Sequence, residues 1–233
     1  MAELNPATRE ALTRIGTSTL TGVLNRRGLT NMYLHGVMPI RPDIPRLVGP
    51  AFTMRFIPAR PGAQVRSNIQ PRAMEECPPG AVLVVDSRGD ARAASAGDLY
   101  VGRLKARGCA GIVTDGGLRD TEGVYKTGLP AYHKSPSSPP SPIVHFPCDL
   151  GLPIGCAGVA VYPGDIMVGD CDGVVVIPPD IVDEVAEECL STQLYEEFAE
   201  EEVARGRALP GLFPVAGEEA KRDFEAWKKA RGR

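Results

Sequence analysis

Two short runs carry residue types that could do chemistry together. The first is Asp115-Gly116-Gly117-Leu118-Arg119-Asp120, which follows the apolar run Ala110–Thr114. A guanidinium such as that of Arg119 grips a carboxylate through its planar fork. The adjacent Asp120 offers a hard oxygen suited to Mg²⁺ or Mn²⁺. The second run, Gly97-Asp98-Leu99-Tyr100, has the composition of a loop entering a helix. A helix start presents unpaired N–H groups and the positive end of the helix dipole, so the amides of Leu99 and Tyr100 could receive a carboxylate or enolate oxygen. Gly97 removes the side chain that would obstruct close approach. Each run also has a plain reading. Asp98 can cap its own helix, and Arg119 with Asp120 can form a solvated turn.

The elements that must position these runs follow from apolar spacing. Ala81–Asp86 and Ala110–Thr114 are short continuous apolar runs, the pattern of strands buried on both faces. Leu99–Arg107 lies between them at helical spacing and ends at Gly108. Strand, helix, strand with short connections predicts an α/β fold: one layered domain over residues 1–233 with a central β-sheet flanked by helices. In a βαβ unit the loop before the helix and the loop after the next strand share one sheet edge, where ligands gather. The two runs are therefore expected to face each other across one crevice. Around this unit, helices are expected over Thr8–Ile15, Ser18–Arg27 and Asn68–Glu76, with a strand at Val48–Ile57 and a turn over 58–64. Further strands are expected at Gly158–Tyr162 and Val174–Ile177, with Gly169–Gly173 as a turn. Residues 1–30 read as N-terminal helices. Residues 179–233 read as a helical extension rich in glutamate, with a last helix over Glu218–Lys229. The Pro/Ser-rich stretch 134–142 is expected to be a surface loop.

Composition excludes several classes. Of 233 residues, 43% are hydrophobic and 24% charged, ordinary values for a chain with its own core. The net charge of −3 argues against nucleic acid as a partner. No apolar stretch is long enough to span a bilayer, and the polar start predicts no secretory leader, so a cytoplasmic location is expected. The six cysteines form no CxxC pair and read as reduced thiols. His133, His145, Cys148 and Cys156 fit no compact zinc spacing. Gly155–Val161 resembles a cofactor-binding glycine loop, but lacks the strand–loop–helix setting and an acidic ribose partner, which counts against methyl transfer.

The run GDLYVGRLKARGCAGIVTDGGLRD, with PGDIMVGDCDGVVVIP further on, resembles the family of the regulator of ribonuclease E activity A (RraA) and its enzyme relatives. Those relatives are aldolases of 4-hydroxy-4-methyl-2-oxoglutarate and 4-carboxy-4-hydroxy-2-oxoadipate that also decarboxylate oxaloacetate. The resemblance extends from about Ser18 to Pro178. It implies a swivelling β/β/α fold, a divalent cation (Mg²⁺ or Mn²⁺) as cofactor, and a homo-oligomer, trimer or hexamer. It assigns the pyruvyl group of a 2-oxo acid to Arg119, the metal to Asp120, the substrate carboxylate to the amides of Gly97–Tyr100, and a water at the metal to Asp98. It also implies a glutamate lent by a neighbouring subunit, for which Glu196 and Glu197 are the nearest matches. The stretch 134–142 departs from the aldolases and would reshape the part of the pocket that reads the rest of the substrate. None of the six lysines lies in a buried apolar strand, where desolvation would make it a Schiff-base nucleophile, so the metal route is expected. The same resemblance admits a non-catalytic regulator that acts on ribonuclease E by protein contact.

Overall fold

A computed structural model describes residues 4–60, 67–214 and 216–232. Its strands are β1 (Met38–Pro39), β2 (Leu47–Pro58), β3 (Val82–Asp86), β4 (Ala94–Ala96), β5 (Gly111–Thr114), β6 (Gly117–Leu118), β7 (Ala131–His133), β8 (Ser135–Pro136), β9 (His145–Leu150), β10 (Ile154–Cys156), β11 (Val159–Val161), β12 (Ile166–Asp170) and β13 (Gly173–Ile177). The helices are α1 (Pro6–Leu12), α2 (Thr17–Arg26), α3 (Ile69–Glu76), α4 (Asp98–Ala106), α5 (Thr121–Lys126), α6 (Val182–Ala204) and α7 (Glu218–Ala230).

The main sheet runs β1-β7-β5-β3-β2-β12-β13, with β9 also paired to β2. Strands β2, β3, β5 and β7 are mutually parallel, as the βαβ pattern requires. Every residue of β3 and β5 is buried, which explains the unbroken apolar runs. Alternation along β3 divides two cores: Val82 and Val84 point to one, Leu83 and Val85 to the other. Complete burial of each such side chain stabilises the fold by about 1.5–3 kcal/mol.

The sheet nearly closes into a barrel. Leu34 donates its N–H to the Val174 carbonyl (2.9 Å), and Val176 donates to that of Met32 (2.8 Å). The same segment then enters β1, so residues 32–39 join the two outer strands. Leu34, Val84, Val113, Tyr132, Met167 and Val176 fill the core so enclosed. Helices α3, α4 and α5 cover the opposite face through Ala73, Met74, Val101, Leu104 and Val124.

Several details differ from the sequence reading. The expected turn Gly169–Gly173 shrinks to Cys171-Asp172, because Gly169 and Asp170 end β12 and Gly173 begins β13 in an antiparallel hairpin. Residues 134–142 are not wholly a surface loop: Ser135–Pro136 form β8, and Ser141 is buried at the start of a 3₁₀ turn. The expected turn at 58–64 falls mostly on residues outside those described, Pro58 being the end of β2. Gly155–Val161 folds as the β10–β11 hairpin, with no helix following a glycine loop.

The chain divides into two compact units, Met1–Ala186 and Glu187–Arg233. The second holds most of α6 together with α7. Its own core joins Phe198, Leu212, Ala220 and Trp227, with Phe224 stacked on Trp227 at 6.0 Å between ring centres. Among the described residues, no helix is long and apolar enough to cross a membrane.

Candidate active site

A second, smaller sheet builds the site. Strands β4, β6 and β8 pair in parallel, Ala96 opposite Leu118 and Leu118 opposite Pro136. Strand β4 runs directly into Gly97 and α4, and β6 runs directly into Arg119, Asp120 and α5. The Arg119 N–H donates to the Ala96 carbonyl at 3.0 Å, which fixes the two loops side by side. The sequence reading placed Arg119 at the end of a main-sheet strand. Instead, after Thr114 the chain passes through Asp115 and Gly116 into this second sheet.

Gly97 has an extended backbone that any residue can adopt (φ −127°, ψ −176°). Its lack of a side chain matters for space: a Cβ there would sit 3.0 Å from both Arg119 Cγ and Asp120 Oδ2. Gly123 plays the same part for Asp98, whose Oδ2 would lie 2.6 Å from a Cβ on that residue. Two glycines thus let both acidic side chains lie against the opposing loop.

Asp120 adopts a left-handed backbone (φ 52°, ψ 40°) at the point where α5 begins. Aspartate tolerates this region better than most residues, yet it remains an uncommon conformation. Arg119 Nε donates to Asp120 Oδ2 at 2.9 Å, and the two side chains remain 41% and 44% exposed. At the head of α4 the Leu99 N–H donates to Asp98 Oδ1 at 2.8 Å. The Leu99 amide is therefore already taken, and the Asp98 and Tyr100 amides are the first-turn donors without an acceptor among the described residues.

Gly97–Tyr100, Arg119 and Asp120 line one pocket of about 430 Å³, whose wall also includes Gln70 and Pro140–Pro142. Glu196 and Glu197 lie on α6, in the second unit.

Behind the pocket lies a buried polar layer. Ser87 Oγ and Thr114 Oγ1 each approach Ser95 Oγ at 2.7 Å. Asp115, almost wholly buried, accepts the N–H groups of Ser87 (2.6 Å), Gly89 (2.8 Å) and Ala157 (3.1 Å). It binds the β3–β4 loop and the β10–β11 hairpin to the end of β5.

Gln70 and Ser141 are pocket residues that the sequence reading missed. Gln70 Nε2 donates to the Ser95 carbonyl at 2.6 Å, and its Oε1 accepts from Ser141 Oγ at 3.2 Å. The available signal was a glutamine on the inward stripe of α3, in register with Ala73 and Met74.

The residues fit a hard divalent cation at Asp120. Its Oδ2 faces Arg119, while Oδ1 accepts no hydrogen bond from the described residues. One carboxylate oxygen in an open pocket suits Mg²⁺, which retains several waters and takes few protein ligands. Asp170, Cys171 and Asp172 also converge. There the Asp170 carboxylate is spent on Thr17, Asp172 and Arg46 as a structural clasp. Among the described residues His133, His145, Cys148 and Cys156 form no ligand group. None of the six cysteines forms a disulfide, and Cys77, Cys109, Cys156 and Cys189 are buried.

A sequence model of the family described as RraA-like (Aldolase/RraA) matches residues 17–176. A protein of Halalkalibacterium halodurans, provisionally named 4-hydroxy-4-methyl-2-oxoglutarate aldolase, is 33% identical over 177 residues, which cover 76% of this chain and 80% of that protein. Among solved structures, Streptomyces coelicolor RraAS2 is described as an unusual member of the RNase ES inhibitor RraA protein family. It matches with a TM-score of 0.77 at 31% identity, over 86% of this chain and 98% of that one. An uncharacterized protein from Pseudomonas syringae pv. tomato shares the fold, with a TM-score of 0.81 at 24% identity over 91% and 94% of the two chains.

Proposed function

Because the chain belongs to the RraA-like family, we propose that it is a divalent-metal-dependent pyruvate aldolase. Its substrate is a 4-hydroxy-2-oxo di- or tricarboxylic acid, cleaved to pyruvate and a second 2-oxo acid, with oxaloacetate decarboxylation as a companion activity. One observation carries the reading: Arg119 and Asp120 pack onto Gly97 beside the start of α4, in a single pocket.

Both reactions leave an electron pair on C3 of a 2-oxo acid. In aldol cleavage the C3–C4 bond breaks, its electrons enter the pyruvate enolate, and C4 becomes a carbonyl as its hydroxyl loses a proton. In decarboxylation the same bond breaks with loss of CO₂. In both, C3 then takes up a proton. A divalent cation held by Asp120 would supply the Lewis acid that accommodates the enolate charge. Arg119 spends Nε on Asp120, which orients its two terminal nitrogens as a fork for the substrate's carboxylate and enolate oxygens. The Tyr100 amide adds a neutral donor at the positive end of α4. Asp98, held by the Leu99 amide and seated over Gly123, orients the water that takes the C4 hydroxyl proton. Among the described residues no lysine lines the pocket, which favours the metal route over a Schiff base.

The test is pyruvate release in Mg²⁺ or Mn²⁺, followed with lactate dehydrogenase. Arg119→Ala and Asp120→Ala should each lose about 10²–10³ or more in kcat while keeping the native circular dichroism. Exhaustive chelation should abolish turnover reversibly. Near-normal rates in either variant would refute the scheme. The likeness to the RNase ES inhibitor family favours a second reading, a regulator acting by protein contact. A native chain that releases no pyruvate from any 2-oxo acid in either metal would favour it.

A further inference from the structure

Gln70 borders more than the candidate pocket. A second cavity of about 540 Å³ lies beyond it and shares Gln70, Ser141 and Pro142 as a common wall. Among the described residues its lining includes one cation, Arg60, and no aspartate or glutamate.

The polar groups of that wall can be assigned. Gln70 is only 9% exposed, and its amide is held at both ends, by the Ser95 carbonyl and by Ser141 Oγ. With Oε1 committed to Ser141, the amide's unused capacity is mainly its second N–H, a donor. His145 is also committed. Its Nε2 lies 3.2 Å from the Ala93 carbonyl and must donate there, so Nδ1 accepts from Arg88 at 3.1 Å. It brings no charge, and burial moves its pKa further down. Among the described residues the cavity therefore offers a ligand a guanidinium and an amide N–H, with no competing carboxylate. That set matches a group that only accepts hydrogen bonds and carries negative charge.

We propose that this cavity is the subsite for the distal carboxylate of the substrate, with Arg60 as the charge that recognises it and Gln70 as the donor at the junction. The inference rests on the aldolase reading of the first pocket and goes further by locating the determinant of substrate length and charge. The pyruvyl end occupies the Arg119–Asp120 pocket, and the rest of the molecule passes Gln70 into the second cavity. The Pro/Ser-rich stretch contributes Ser141 and Pro142 to the passage, so it takes part in selecting the substrate.

Binding of three non-cleavable probes to the full chain in Mg²⁺ tests this: pyruvate, 2-oxoadipate, and 2-oxoadipate methylated on its distal carboxylate. The native protein should bind 2-oxoadipate about tenfold more tightly than the ester, the increment expected of one charge-assisted contact. Arg60→Gln should abolish most of that preference while leaving pyruvate affinity unchanged. Gln70→Leu should weaken 2-oxoadipate and the ester together, and by a larger factor than it weakens pyruvate, because Gln70 borders both cavities. Equal binding of acid and ester by the native chain, or a full preference kept by Arg60→Gln, would overturn the subsite and leave the aldolase reading standing. Failure to bind pyruvate at all would remove the aldolase reading and this inference with it.

Discussion

At the scale of single residues, Asp120 carries two demands at once. Its carboxylate is the metal ligand of the proposed reaction, and its backbone makes the left-handed step that starts α5. Two substitutions separate these demands. Asn tolerates the left-handed region, so Asp120→Asn should abolish turnover yet unfold within about 0.5 kcal/mol of the native protein. Asp120→Ala should be equally inactive and lose a further ~1 kcal/mol in urea, because Cβ without a polar head is strained there. Equal stability of the two variants would mean that the backbone step has no energetic weight. The carboxylate, the guanidinium and the glycine were all legible in the sequence, since their chemistry depends on residue type. The backbone conformation of Asp120 was not, because an Asp before a helix ordinarily reads as a cap. That Asp98 takes an amide of its own helix was one of the two readings open in the sequence, and the rotamer of Asp98 decides between them.

At the scale of elements, apolar runs marked β3 and β5 and helical spacing marked α4 within a residue or so. The small sheet escaped, because β4, β6 and β8 are two or three residues long and carry no periodicity. Asp115 shows why such short strands hold their place. It opens the run Asp115–Asp120 that could be read as solvated, yet it is nearly buried and accepts three backbone N–H groups from two other segments. Asp115→Asn turns one acceptor oxygen into a donor facing those N–H groups. It should cost about 3 kcal/mol in chemical denaturation, more than most surface changes near the pocket. A shift of the urea midpoint corresponding to less than about 1 kcal/mol would show that these bonds are readily replaced.

For the whole molecule, the near-closure of the barrel buries titratable groups that the fold keeps uncharged. His133 is the clearest case: burial pulls its pKa to about 4 from the ordinary 6.5, and its Nδ1 is buried with no hydrogen-bond partner among the described residues. The unfolded chain binds that proton more readily. The contribution of His133 is thus complete above pH 6.5 and is lost as pH falls toward 4. His145 shifts in the same direction through burial, and Asp86 and Asp165 shift upward, which opposes it near the acid end. Comparison with a variant isolates the effect. Between pH 7 and pH 5 the native protein should lose more stability than His133→Gln, read as the displacement of the urea midpoint. Parallel curves for the two proteins would refute this assignment. The nearly closed sheet itself was only half visible in the sequence. The α/β class follows from β3, α4 and β5, but closure depends on residues 32–39 reaching both outer strands, a long-range pairing that no local pattern encodes.

Both halves of the pocket hang from a ladder only two rungs deep, Ala94 with Gly117 and Ala96 with Leu118. The barrel behind it is held by strands of up to twelve residues. A reactive centre mounted on so slight a bracket should loosen on warming while its scaffold still reads as native. Heat should therefore silence pyruvate formation several degrees before far-ultraviolet dichroism begins to change, and cooling from that interval should restore the full rate.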